Sequence, residues 1–282
     1  MAKENCQRRI QENSRSKHLI GVFDSGIGGL SILKALRAEL PAEDFIYVAD
    51  SGHAPYGERD EAHVLARSRA VARHLAAQNI KALVIACNTA TAAAIDVLRA
   101  EFPALPIVGV EPALKPAVAL SRTGRIGIMA TRSTLASARF AALLASQAGK
   151  ASFVLQGCDG LADAIERSAD SGDATETIAE CARFTGAMGL FGSQTGEMDT
   201  LVLGCTHYPL AGKALQDLLG PQVRIIDNGE AIARQTRRML PDILDGTGQG
   251  SVALFTTGKP KALEAAASRW LGLHDRAGLL YF

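Results

Sequence analysis

The chain has 282 residues, 48% of them hydrophobic and 21% charged, with a formal net charge of +1. That length accommodates two compact domains, and that composition describes a globular protein. So small a net charge gives no general attraction to nucleic acid or to an anionic membrane, and no apolar run approaches the roughly 20 residues that span a bilayer. Partners therefore have to be inferred from sites.

Residues 1–18 are polar and basic, with Lys3, Arg8, Arg9, Arg15 and Lys17, and no apolar core follows them as in a secretory signal. A disordered or loosely docked tail is expected there. The five cysteines, Cys6, Cys87, Cys158, Cys181 and Cys205, include no Cys-x-x-Cys pair, and an odd, scattered set fits reduced thiols in the cytoplasm.

His18 to Phe23 reads as a buried strand that runs into Asp24-Ser25-Gly26-Ile27-Gly28-Gly29, after which Leu30, Leu33 and Leu36 recur at helical spacing. Ser31 stands where a dinucleotide fingerprint would place its third glycine, and no Lys-Ser/Thr completes a P-loop. Asp24, at the strand tip, is placed either to assist the helix N-terminus or to act on a neighbouring base. A second strand, Phe45 to Asp50, leads into the punctuated loop Ser51 to Gly57, where Tyr56 offers a hydroxyl and Gly57 permits close approach. A helix is predicted over 60–78.

Leu83-Val84-Ile85-Ala86-Cys87-Asn88-Thr89 is a strand ending in a thiol, and Thr89 or Thr91 is positioned to cap the helix that follows. After the strand Ile107 to Val110, stopped by Glu111-Pro112, the pattern starts again. Arg125 to Thr131 echoes Leu19 to Ser25, a helix is expected over 134–147, and Leu201-Val202-Leu203-Gly204-Cys205-Thr206-His207 repeats the cysteine strand. Between them come a strand from Phe153 to Cys158, a helix from Leu161 and another over 172–190. The chain reads as two related α/β halves, and internal duplication is the simplest account. The expected division is 19–112 plus 226–282 for the first domain and 113–225 for the second, the late strand Ser251 to Thr256 returning to the first sheet.

Each repeated strand puts a thiol at its carboxyl end, where open α/β sheets bind ligands beside helix N-termini. A thiol serves as base when ionised and as acid when protonated, and its pKa is tuned by such surroundings. Two thiols on opposite faces of one carbon could take a proton from one side and deliver one on the other, which is racemisation. Asp24 beside Cys87 and His207 beside Cys205 are candidates to steer those protons, and Ser25, Asn88, Thr89 and Thr206 to bind a carboxylate. A Cys/His hydrolase would leave one cysteine idle, and a non-catalytic amino-acid-binding protein would have no use for either. The spacings match no common zinc module, and no lysine sits in a recognisable pyridoxal phosphate context.

Phe23-Asp24-Ser25-Gly26-Ile27-Gly28-Gly29-Leu30, Ala54-Pro55-Tyr56-Gly57, Ala86-Cys87-Asn88-Thr89-Ala90-Thr91, Val108 to Pro112 and Gly204-Cys205-Thr206-His207-Tyr208-Pro209-Leu210 together resemble bacterial glutamate racemases, in that family's order. The resemblance covers about residues 19–240. It implies two similar, doubly wound α/β domains related by a pseudo-two-fold, with the active site at their interface. It further implies a cytoplasmic, cofactor-independent isomerase of L- and D-glutamate that supplies peptidoglycan synthesis, with no metal and no nucleic-acid or membrane partner. It leaves a homodimer open, and an aspartate racemase of the same plan is the alternative. By position it makes Cys87 and Cys205 the catalytic acid/bases, with Asp24, His207 and Glu166 assisting. It makes Asp24, Ser25, Tyr56, Gly57, Asn88, Thr89, Thr206 and His207 substrate contacts, joined by Thr131 and Thr134 from the second half. Around Glu166 the lead-in Cys158-Asp159-Gly160-Leu161-Ala162-Asp163 departs from the family pattern, which leaves Asp163 as the other candidate acid.

Overall fold

A computed structural model describes residues 19–240 and 250–282; the expected tail at 1–18 and Cys6 lie outside them. The strands gather into two parallel sheets. The first sheet has the order β10-β9-β2-β1-β3-β4, built from β1 (Ile20–Asp24), β2 (Phe45–Ala49), β3 (Ala82–Ile85), β4 (Ile107–Gly109), β9 (Val252–Thr256) and β10 (Gly278–Leu279). The second has the order β6-β5-β7-β8, from β5 (Arg125–Ala130), β6 (Ser152–Gly157), β7 (Thr200–Gly204) and β8 (Arg224–Ile226). Numbered within its own half, each sheet reads 2-1-3-4, so the repeat seen in the sequence is a repeat of topology. The late strand does return, β9 pairing with β2 in parallel from Phe45 with Val252 to Ala49 with Thr256.

Both sheets are covered on both faces, as continuous apolar strands require. On one face of the first sheet, Ile20 and Val22 of β1 pack with α1 (Leu30–Glu39), α10 (Gly229–Met239) and α11 (Pro260–Leu271) through Leu33, Leu36, Ile232 and Leu263. Phe23, whose side chain alternates to the other face, packs with α2 (Glu61–Ala76) and α3 (Asn88–Glu101) through Val71, Leu75, Ala94 and Leu98. In the second half, α7 (Leu161–Ser171), α8 (Thr175–Met188) and α9 (Gly212–Leu219) cover one face, while α4 (Leu114–Leu120) and α6 (Ala138–Ala145) cover the other.

Two expectations are corrected. The helix expected over 134–147 is broken into α5 (Arg132–Ala136) and α6, because Ser137 takes extended backbone angles and its side chain accepts from Phe140 N as a new N-cap. The α3 cap is neither Thr89 nor Thr91. Cys87 itself occupies the extended cap position and its Sγ accepts from Ala90 N at 3.4 Å, while Thr91 Oγ1 donates to Ile85 O and accepts from Val110 N.

Leu83 in β3 is fully buried, whereas Leu218 on α9 is 43% exposed. Leu83→Ala should lower the unfolding free energy by about 2–5 kcal/mol and Leu218→Ala by less than about 0.5 kcal/mol. Equal urea midpoints for the two variants would contradict this placement of the core.

Candidate active site

The carboxyl ends of the two sheets face one cavity, which Ser25, Tyr56, Gly57, Cys87, Asn88 and Thr89 line from the first half and Thr131, Glu166, Cys205, Thr206 and His207 from the second. The parallel registers explain why the thiols correspond. Asp24 pairs with Ala49 across β1 and β2, Ala130 pairs with Gly157 and Gly204, and Ala86 N donates to Phe23 O; Cys87 thus lies two residues beyond the end of β3 and Cys205 one residue beyond the end of β7.

The surroundings of the thiols differ. Cys87 Sγ sits at the N-terminus of α3 and donates to Ser25 Oγ at 3.7 Å. Burial pushes this thiol well above its ordinary range and Asp24 pushes it further, against the opposing pull of Ala90 N–H and Ser25. Cys205 opens a 3₁₀ turn at Tyr208–Ala211 and has His207 Nδ1 at 3.8 Å. His207 Nε2 lies 2.7 Å from Glu166 Oε1, and the same oxygen accepts from Ile27 N at 2.7 Å. Gly28 N also lies 3.3 Å from Nε2, a contact that only an unprotonated nitrogen could accept. The much shorter bond to the carboxylate assigns Nε2 as a donor. Burial disfavours the imidazolium, but Cys205 and Glu166 outweigh burial and hold His207 well above its usual pKa.

The glycine loop exists for this pair. A Cβ on Gly26 would stand 1.9 Å from Glu166 Oε1, and one on Gly28 would stand 2.3 Å from His207 Nδ1. Neither glycine has a positive φ, so it is close approach of side chains from the other half, not a left-handed turn, that excludes larger residues.

Asp24 is fully buried beneath the cavity instead of lining it. Its Oδ2 accepts from Gly29 N at 2.7 Å, ahead of α1, and its Oδ1 lies 3.5 Å from Thr206 Oγ1 of the other half. Burial raises its pKa, opposed chiefly by His207. The group that touches Cys87 is thus Ser25, with Asp24 acting through its charge. Thr89 Oγ1 lies 3.0 Å from Thr131 Oγ1, which donates to Thr134 Oγ1 at 2.9 Å, so Thr134 stands behind the lining. Asp163 also lines the cavity, but it pairs with Arg167 and is Glu166's neighbour one helical turn away; the acid on His207 is Glu166.

Two lining features were not singled out from sequence. Cys158 ends β6 at the register of Asp50 in the first half, and a lone cysteine outside the repeated motif carried no signal. Glu58, next to the Tyr56-Gly57 pair, accepts from Gly160 N at 3.2 Å across the cavity mouth. Among the described residues no cluster of His, Cys, Asp or Glu could hold a metal ion, and no helix is long and apolar enough to cross a membrane.

Two cysteines at corresponding strand ends of the two halves line one cavity, and residues 20–236 match the Asp/Glu/hydantoin racemase family, to which the chain belongs. Within it, the chain is 43% identical over 263 residues to the glutamate racemase of Methylococcus capsulatus, covering 92% of this chain and 94% of that one. Among solved structures it resembles a glutamate racemase isoform from Bacillus anthracis, with a TM-score of 0.82 and 30% identity over 94% of this chain and 97% of that one. It also resembles the Escherichia coli glutamate racemase in complex with L-glutamate and an activator, UDP-MurNAc-Ala, with a TM-score of 0.78 and 32% identity over 90% and 95% of the two chains.

A raised folded pKa has a thermodynamic sign. The His207 imidazolium stabilises the fold fully below its unfolded value of about 6.5, and this contribution is lost as pH rises through the folded value. Nitrogen-detected NMR of the imidazole should show His207 still protonated at pH 7, and Glu166→Gln should move its midpoint down. An unchanged midpoint in that variant would remove Glu166 from the account of the imidazolium.

Proposed function

We propose that the chain is a cytoplasmic glutamate racemase that interconverts L- and D-glutamate by two-thiol proton transfer and supplies D-glutamate for peptidoglycan. The observation that carries this reading is the pair Cys87 and Cys205 at equivalent strand ends of opposite halves, lining one cavity. Glutamate, in preference to aspartate, rests on the names of the relatives and on the L-glutamate held by the Escherichia coli enzyme. No cofactor is required by the scheme, because the two sulfurs supply both the base and the acid.

In this scheme the substrate Cα lies between the sulfurs, and the thiolate on one face takes the α-proton while the thiol on the other returns one. The carbanion is the costly species, and its charge spreads onto the α-carboxylate. Ser25, Asn88, Thr89 and Thr206 line the cavity and supply hydrogen-bond donors for that carboxylate. The resting site is set for one direction. Burial and Asp24 keep Cys87 protonated, an acid ready to donate, while the imidazolium of His207 faces Cys205 as a counter-charge for a thiolate. After transfer the two sulfurs have exchanged states, Cys205 a thiol and Cys87 a thiolate, which is the form that accepts the opposite enantiomer; loss of the Cys205 proton beside His207 together with gain of one at Cys87 restores the starting form. Asp24 takes no proton directly from Cys87; it sets the sulfur's charge state and holds the loop that carries Ser25.

The test is the optical activity of L-glutamate over time in deuterium oxide, with dialysed protein and L-aspartate in parallel. Signal decay with deuterium entering at Cα is expected for glutamate alone. Decay with aspartate instead keeps the mechanism and changes the substrate, while no exchange on either from folded protein rejects the racemase reading. Cys87→Ser and Cys205→Ser should each lower racemisation at least about a hundredfold, since a serine hydroxyl is a far weaker acid than a thiol. A near wild-type rate in either variant would reject the two-thiol scheme.

A further inference from the structure

Asp50 follows β2 and is fully buried, yet it was no candidate on sequence grounds. It is the acceptor for a dense set of donors. Tyr56 Oη donates to Oδ2 at 2.5 Å, Thr257 Oγ1 to Oδ1 at 2.7 Å, and Arg67 to both oxygens, Nε to Oδ2 at 3.0 Å and Nη2 to Oδ1 at 2.9 Å. His53 Nδ1 stands 3.1 Å from Oδ1. Burial works against the charged carboxylate, but Arg67, Tyr56 and Thr257 outweigh it and keep Asp50 ionised. Arg67 in turn uses its remaining edge and its face on Phe282: Nη1 donates to the Phe282 carbonyl at 3.0 Å, and the guanidinium lies 5.2 Å from the ring centroid. Phe282 is placed by β10, which pairs with β9, and by His74 on α2 at 5.4 Å between ring centroids.

The segment that Asp50 grips is the one that meets both substrate and the other half. Tyr56 and Gly57 line the cavity, Gly57 O accepts from Ser133 Oγ at 2.6 Å, and a Cβ on Gly57 would stand 2.7 Å from Thr131 Cγ2. The loop has no regular structure beyond two 3₁₀ turns, Ser51–His53 and Tyr56–Glu58, so its position on the first-half side depends on its side-chain bonds. Two of these, the His53 ring and the Tyr56 phenol, reach inward to Asp50, and the phenol makes the shorter bond, 2.5 Å against 3.1 Å.

From this geometry we infer that Arg67 is a positioning residue for the substrate loop: clamped between Asp50 and Phe282, it fixes the carboxylate that holds Tyr56 and Gly57 against the cavity. The inference rests on the racemase reading above. Arg67 touches neither thiol nor any group that moves a proton, so its influence falls on binding and leaves the chemical step alone. A planar fork is needed here, because two donors must meet two oxygens of one carboxylate while a third meets a carbonyl on the opposite side. A lysine ammonium is a point charge and cannot hold that geometry. Without the fork the buried carboxylate is no longer met at both oxygens by Nε and Nη2, and its hold on the Tyr56 hydroxyl loosens.

The experiment measures KM and kcat for L- and D-glutamate in wild type, Arg67→Lys, Tyr56→Phe and the double variant, with urea midpoints alongside. Arg67→Lys should raise KM about tenfold for both enantiomers, the scale of one hydrogen bond to a charged group, and leave kcat within about twofold. Tyr56→Phe should do the same, and the double variant should be little worse than either single, because both cut one link. Phe282→Ala, at a residue 40% exposed, keeps the fold in case Arg67→Lys does not, and should raise KM about threefold. An unchanged KM in folded variants, a loss confined to kcat, or fully multiplicative effects in the double variant would each overturn the assignment. Absence of racemisation in the wild type would instead overturn the racemase reading, so the two failures are distinguishable.

Discussion

One carboxylate oxygen joins the halves. Oε1 of Glu166, carried on α7 of the second half, accepts from the backbone of Ile27 in the first half and from His207 beside Cys205. A partly buried carboxylate of this kind is favoured when its lone pairs are occupied, and here one oxygen is met by donors from both halves. The bond to His207 sets the charge beside one thiol, and the bond to Ile27 sets the distance between the sheets at the same point. Gly26 and Gly28 follow from this constraint, since the acid and the ring fill the space where their side chains would be. Asp24 follows as well: its carboxylate starts α1 on one side and meets Thr206 of the other half on the second.

Much of this was legible in the sequence, and for identifiable reasons. Continuous apolar runs marked the strands because both sheet faces are covered, and the repeat of a strand ending in cysteine mirrored a true repeat of the 2-1-3-4 order. The return of the late strand to the first sheet was readable from its position after the second half. What escaped is what depends on contacts between residues far apart in the chain. The Thr89 and Thr91 caps looked sufficient by propensity, but a thiol in an extended residue at the strand end already met the free N–H of Ala90. The break at Ser137 is a local cap that the apolar periodicity on both sides concealed. Glu166 against Asp163 could not be decided by spacing, because both lie on α7 and only the position of His207 distinguishes them. Asp50 was read as the end of a strand because the partners that make it matter, at 67 and 257, are brought to it by the fold.

The duplication is also imperfect where it matters. Cys87 is a helix N-cap, its sulfur held by a backbone N–H and a serine hydroxyl, while Cys205 opens a tighter turn and answers to an imidazole. In the scheme proposed above, this divergence of surroundings is what lets a duplicated site hold one sulfur as acid and the other as base.

The second sheet is inserted into the first, since the chain leaves after β4 at residues 110–113 and re-enters before α10 at residues 227–228. The halves are therefore tied by two covalent strands, not one. A single tether permits swivel as well as opening; two tethers side by side suppress twisting and leave rotation about the line that joins them. Such a joint limits how the halves can turn against each other, and with it how far the two cysteine-bearing strand ends can shift apart.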